Sequence, residues 1–162
     1  MRIGIISDTH DRLSRTIVAV QILTDAGALA LFHCGDLTSP EIVSACGVLP
    51  GYFVFGNNDA DNCPALRRAI DKVNGVCLGW GGEVTLAGKR IALAHGHLHT
   101  DVRRVVAARP EYLLFGHSHV PTDEREGAVR RINPGALHRA EKYTVALLDL
   151  ETDALEFLEV PR

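Results

Sequence analysis

Five short apolar runs, each closed by glycine or by a polar residue of metal-ligand type, constrain the fold of this 162-residue chain more than any other feature. Ile3-Gly4-Ile5-Ile6 precedes Ser7-Asp8-Thr9-His10, Leu29-Ala30-Leu31-Phe32 precedes His33-Cys34-Gly35-Asp36, and Tyr52-Phe53-Val54-Phe55 precedes Gly56-Asn57-Asn58-Asp59. Ile91-Ala92-Leu93-Ala94 before His95-Gly96-His97 and Tyr112-Leu113-Leu114-Phe115 before Gly116-His117-Ser118-His119 repeat the arrangement. Continuous apolar runs of this length are the pattern of strands buried on both faces, as in the parallel sheets of α/β folds. Such folds bind ligands at the carboxyl ends of their strands. The spacing therefore predicts five strand ends converging on one rim.

Around these runs the sequence predicts strands near 1–7, 29–34, 51–55, 83–87, 90–95, 111–115, 128–132, 143–150 and 154–160. Helices are predicted near 14–26, 40–47, 62–74 and 99–109. The first half alternates strand and helix, which implies parallel pairing. The second half reads as hairpins, one turning at Ala87-Gly88 and one at Glu151-Thr152-Asp153.

Seven residues at the strand ends are metal-ligand types: Asp8, His10, Asp36, Asn57, His95, His117 and His119. Carboxylate, imidazole and amide oxygen together suit a pair of divalent cations of the Mn, Fe or Zn kind. The ordered set Asp8-x-His10, Gly35-Asp36, Gly56-Asn57, His95-Gly96 and Gly116-His117-x-His119 resembles the calcineurin-like metallophosphoesterases, and the short length resembles their small bacterial and archaeal phosphodiesterases. No single piece is specific, but five in the family's order are.

The resemblance implies an α/β fold, a sandwich of two mixed β-sheets flanked by helices. It implies two divalent ions, Mn²⁺ first and Fe, Ni, Zn or Mg as alternatives. One ion would be held by Asp8, His10, Asp36 and His119, with Asp36 bridging to a second completed by Asn57, His95 and His117. Two such cations about 3.5–4 Å apart acidify a water, align it for in-line attack on phosphorus and neutralise the phosphate oxygens. Many relatives place a proton-donating histidine after the metal-binding asparagine. This chain has Asn58, which hydrogen-bonds but cannot act as a general acid near neutral pH. A phosphodiesterase acting on small diesters with good leaving groups is the implied function. A phosphomonoesterase and a non-catalytic binding or scaffold protein on the same fold are the alternatives. The seven competent donors favour the enzyme.

Structural roles compete at several positions. Asp8 and Asp36 precede helices and could cap them, but Ser14 and Ser39 stand closer to the helix starts. Asn57 and Asn58 also suit a turn. His97 is read as orienting a ligand or phosphate, or else as solvated. His33 is read as a satisfied, partly buried histidine, and His99 and His138 have no assigned role. Arg103 and Arg104, on the helix after the His95 loop, are candidates for holding phosphate, as are Arg67 and Arg68 on the helix after Gly56-Asn57.

Composition bounds the remainder. The length suits one domain over 1–162, and 46% hydrophobic residues supply its core. A formal charge of −3 without a basic run argues against a dedicated nucleic-acid surface, leaving a small phosphate ester as the partner and self-association open. No run approaches the roughly 18 apolar residues of a membrane span and no signal peptide is read before Asp8, so a cytoplasmic protein is expected. Cysteines at 34, 46, 63 and 77 form no C-x-x-C pair and are expected as thiols, Cys34 packed and Cys63 on a surface loop.

Overall fold

The computed structural model describes residues 1–162. The first sheet contains β1 (Arg2–Ile6), β2 (Leu31–His33), β3 (Gly51–Phe53), β4 (Val76–Cys77), β10 (Tyr143–Asp149) and β11 (Leu155–Val160), in the spatial order β11-β10-β1-β2-β3-β4. The second contains β5 (Gly81–Leu86), β6 (Lys89–Ala94), β7 (Tyr112–Leu114), β8 (Thr122–Glu126) and β9 (Val129–Asn133), in the order β5-β6-β7-β9-β8. Both are mixed: β1 to β4 run parallel and β10 and β11 antiparallel, while β6, β7 and β9 run parallel with antiparallel β5 and β8 at the edges.

The alternation of side chains along the strands builds three apolar layers. Ile3 and Ile5 of β1, with Phe32, Val54, Ile91, Leu93, Leu114, Ala146 and Leu148, fill the space between the sheets. Ile6 points the other way, into a layer under α1 (Leu13–Asp25), α2 (Pro40–Cys46) and α3 (Cys63–Lys72) that includes Leu23, Ile42, Phe53 and Leu66. On the outer face of the second sheet, Ala92, Ala94 and Leu113 meet Val105 of α4 (His99–Val106). Period-2 strands with apolar residues on both faces require cover on both faces, and the helices supply it.

Every predicted strand and helix is present, with no end shifted by more than three residues. The two predicted hairpins form, β5 to β6 with Leu86 opposite Lys89, and β10 to β11 with Leu148 opposite Leu155. Two strands were not predicted. β8 has the sequence Thr-Asp-Glu-Arg-Glu and is exposed along four of its five residues, so an edge strand without an apolar face gave no periodic signal. β4 spans two residues at the opposite sheet's edge. The capping expectation is also corrected. Ser14 lies inside α1, whose N-cap is Arg12, and Ser39 occupies the N-cap of α2 but donates its hydroxyl to Asp11 Oδ1 at 2.6 Å. Cys63 begins α3 rather than lying in a loop, and its thiol donates to the Asp59 carbonyl at 3.4 Å. No helix is long and apolar enough to cross a membrane.

Candidate metal centre

The strands β1, β2, β3, β6 and β7 all end on one rim, and the loops that leave them carry the seven candidate ligands. These loops turn sharply. Asp8, His10, Asp36, His117 and His119 have φ of 52°, 42°, 57°, 68° and 61°. Left-handed backbone at a non-glycine residue costs about 1–2 kcal/mol, and its concentration at one rim marks a conformation held by its surroundings. Gly56 and Gly116 allow the loops to touch. A Cβ on Gly56 would collide with the Asp36 carboxylate, and one on Gly116 with the Ser7 hydroxyl and, at 2.6 Å, with Asp8 Oδ2.

Asp8 is buried and its two oxygens have different tasks. Oδ2 accepts the Ser7 hydroxyl at 2.6 Å and the His117 amide at 3.0 Å. Oδ1 has no hydrogen-bond partner, yet the Nε2 atoms of His119, His10 and His95 stand 3.1, 3.9 and 3.9 Å from it. Asp36 Oδ2 lies 3.3 Å from His10 Nε2 and 3.4 Å from His95 Nε2. His95 Nδ1 is bonded to the Cys34 carbonyl at 2.8 Å and His119 Nδ1 to the Arg139 carbonyl at 3.4 Å. A carbonyl only accepts, so both rings carry hydrogen on Nδ1, and when neutral each offers an Nε2 lone pair to the same space. Asp8, His10 and His119 form one group with ligand atoms within 4.8 Å of one another, and Asp8, Asp36 and His95 form a second.

The buried Asp8 Oδ1, His10 Nε2 and His95 Nε2 lack partners within the protein. Buried polar atoms are ordinarily satisfied, and acceptor lone pairs that converge in this way fit divalent cations. Titration responds to the same crowding. Burial raises the Asp36 carboxyl, but the His95 contact and the Asn58 donors outweigh it and hold the group well below the usual carboxylate range. For His95 burial opposes the proton, yet Asp36 and Asp8 raise its pKa, while burial wins at His10 and lowers it. The pull of the carboxylates thus prevails over burial at His95 but not at His10.

Several placements differ from expectation. Asn58 lines the cavity, but its amide donates to Asp36 Oδ2 at 2.7 Å and its backbone N–H to Oδ1 at 2.9 Å, so its visible task is to orient Asp36. His97 stands beside the centre, its ring 5.4 Å from that of His95 and 6.2 Å from that of His117. Arg103 and Arg104 do not line the cavity, and Arg104 is engaged with the Gly81 carbonyl at 3.0 Å. The open cavity, about 430 Å³, is lined by His10, Asp36, Asn57, Asn58, His117, His119, His138 and Arg139, none of them hydrophobic. Sequence reasoning missed Arg139, which nothing local separates from the other arginines. It also left His138 unassigned, whose ring lies 4.7 Å from that of His10.

Asp59 was missed as well. Fully buried, it accepts the backbone N–H groups of Asp36, Leu37 and Gly56 on Oδ2 at 2.9, 3.3 and 2.8 Å, and of Thr38 on Oδ1 at 2.7 Å. The Gly-Asn-Asn-Asp turn was legible; the carboxylate's reach across to the β2 loop was not. Burial raises its pKa against the pull of these donors.

His33 is satisfied, as expected. The Gly35 N–H donates to its Nδ1 at 3.2 Å, which leaves the proton on Nε2, 3.2 Å from the Thr9 hydroxyl, and Thr9 in turn donates to the Asp36 carbonyl at 3.2 Å. Full burial pushes the His33 pKa down to about 3. The unfolded chain takes up this proton first, near pH 6.5, so the stability held above that value is lost as pH falls toward about 3. Denaturant titrations of chelator-treated protein should show stability declining by up to ~1.4 kcal/mol per pH unit across that window from this residue. His33→Gln should flatten the decline.

Residues 1–153 match the model of the calcineurin-like phosphoesterase superfamily domain. The phosphodiesterase MJ0936 of Methanocaldococcus jannaschii is 28% identical over 166 residues, covering 99% of this chain and 98% of that protein. The phosphodiesterase YfcE of Escherichia coli K12 is 27% identical over 146 residues, covering 85% of this chain and 79% of its own length. The structure of an archaeal phosphodiesterase superposes with a TM-score of 0.88 at 26% identity, covering 98% of this chain and 99% of that one. With a family match over nearly its whole length and the sandwich of two mixed sheets to go with it, the chain belongs to the calcineurin-like phosphoesterase superfamily.

Proposed function

We propose that the chain is a phosphodiesterase that uses two divalent ions to hydrolyse small diesters carrying good leaving groups. Membership in the superfamily makes it a metal-dependent phosphoesterase; the diester, the pair of ions and their ligands are the finer reading. The observation that carries it is the set of unpartnered buried atoms, Asp8 Oδ1, His10 Nε2 and His95 Nε2, facing two carboxylates beneath a wholly polar cavity.

Asp8, His10, Asp36 and His119 would hold one ion, and Asp36, Asn57, His95 and His117 the other. When bound, the ions would supply an acidified water and neutralise charge on the phosphate oxygens. The protein's own residues orient and screen. Ser7 and the His117 amide saturate one oxygen of Asp8 and leave the other free. Asn58 fixes the plane of the Asp36 carboxylate through two hydrogen bonds. Carbonyls of Cys34 and Arg139 set the tautomers of His95 and His119. Arg139, an exposed residue that lines the cavity, would be the cation to meet a phosphate oxygen.

The substrate preference follows from what position 58 lacks. An amide bonded to Asp36 cannot protonate a departing alkoxide, so leaving groups stable as anions are favoured. A diester also brings one negative charge where a monoester brings nearly two, and Arg139 is the only Lys or Arg lining the cavity. Chelator-stripped protein titrated with Mn²⁺, Ni²⁺, Zn²⁺ and Mg²⁺ should cleave bis(p-nitrophenyl) phosphate in preference to p-nitrophenyl phosphate. Preference for the monoester would make the chain a phosphomonoesterase. Metal binding without turnover of either would favour a binding protein on this fold.

A further inference from the structure

Trp80 is the only tryptophan in the chain and lies in the loop between β4 and β5 with 37% of its surface exposed. Large aromatic side chains gain most by burial, and Trp80 keeps over a third of its surface in solvent while two rings pack against it. Its ring meets Phe55 edge-on, with centroids 5.8 Å apart at 71°, and meets His97 at 6.0 Å and 61°. Phe55 is fully buried in the core beneath α3, which anchors the indole from below. His97 packs in turn against His95 and His117 at 5.4 and 6.2 Å. The indole thus stands one imidazole away from two residues of the candidate metal centre.

A cation shares this surface. Arg67 of α3 has its guanidinium carbon 5.1 Å from the Phe55 ring centre, and its Nη2 is the nearest neighbour, at 3.6 Å, of a Cβ position at Gly79, the residue before Trp80. Arg67 is exposed. The metal cavity itself has no hydrophobic lining residue. No hydrophobic side chain offers an apolar ester group a contact inside the cavity, and the Trp80 indole stands next to His97, on the His95 and His117 side of the centre.

We propose that Trp80, supported by Phe55 and flanked by His97, is a stacking subsite for an aromatic ester group of the substrate, a nucleobase or aryl ring, with Arg67 at its margin. The subsite rests on the phosphodiesterase reading above and specifies the ester group that the enzyme retains. Every base presents a π face, so indole stacking selects aromatic groups without selecting one base. Two ring-to-ring steps, one of 6.0 Å and then one of 5.4 or 6.2 Å, separate the indole from the His95 and His117 rings.

Two diesters with one leaving group test this. Thymidine 5′-p-nitrophenyl phosphate and methyl p-nitrophenyl phosphate differ only in the retained ester. Trp80→Ala should lower kcat/KM for the thymidine diester roughly tenfold, chiefly through KM, and leave the methyl diester within about twofold, while Trp80→Phe keeps most of the activity. Equal losses on both diesters, or none on either, would overturn the subsite with the phosphodiesterase reading intact. Because Trp80 is the sole indole, its fluorescence supplies a second readout. Titration of the Mg²⁺-supplemented protein with AMP, excited at the red edge of the indole band, should quench emission, and ribose 5-phosphate should not. If the protein cleaves neither diester, the phosphodiesterase reading fails and this titration decides alone: quenching by AMP upholds the subsite, and no quenching overturns it.

Discussion

Replacing Asp36 by alanine is expected to abolish two-metal binding and to lower diester hydrolysis on the order of a thousandfold or more, the largest effect of any single change in the chain. Its carboxylate, like that of Asp8 but at shorter range, faces both sides of the centre. Oδ2 stands 3.3 Å from His10 Nε2 and 3.4 Å from His95 Nε2, rings that belong to different proposed ion sites. Without Asp36 the two imidazoles lose their shared counter-charge, and the hydrogen bonds from Asn58 lose their acceptor. A readout independent of turnover separates metal loss from other damage. A ligand that binds only the folded state raises stability by RT ln(1 + [L]/Kd), about 2.7 kcal/mol at a hundredfold excess over Kd. The melting temperature of the wild-type protein should therefore rise on addition of Mn²⁺ or Zn²⁺, and that of Asp36→Ala should move much less. Activity surviving in the variant, with the metal-induced shift intact, would refute the bridging role.

That the candidate ligands gather at one rim was legible in the sequence because the signal is local. Asp8, Asp36, Asn57, His95, His117 and His119 each follow an apolar run by one to four residues, and strands buried on both faces deliver their carboxyl ends to a common rim. The contacts that hold the ligands in place were not legible, because each crosses between elements distant in the chain. His95 is oriented by the carbonyl of Cys34, 61 residues earlier, and Asp8 by the amide of His117, 109 residues later. Charge patterning misled in two places. The charged run of β8 carried no strand signal although it pairs fully with β9. Arg103 and Arg104 read as phosphate contacts although α4 directs Arg104 to the edge of the second sheet. The cation that does line the cavity, Arg139, follows a turn 20 residues beyond His119, and only the packing of the sandwich brings the two together.

Asp59→Asn is the second change with a large expected effect, although the side chain touches no proposed ion. Its carboxylate accepts four backbone N–H groups, three from residues 36–38 and one from Gly56, and so ties the loop carrying Asp36 to the loop carrying Asn57. An asparagine amide keeps one oxygen but places N–H donors where the other oxygen stood, against donors that cannot turn away. At least one buried N–H would be left without an acceptor, at a cost of about 1–3 kcal/mol. Loss of a group that orients metal ligands costs about 10- to 100-fold in metal affinity or activity. The two effects are separable by experiment. Denaturant unfolding of the metal-free variant reads the first, and a metal titration followed by calorimetry reads the second. A purely structural role for Asp59 would reduce stability and leave metal affinity at the wild-type value. The geometry predicts that both fall, because the same four N–H groups that the carboxylate collects define the turns from which Asp36 and Asn57 project.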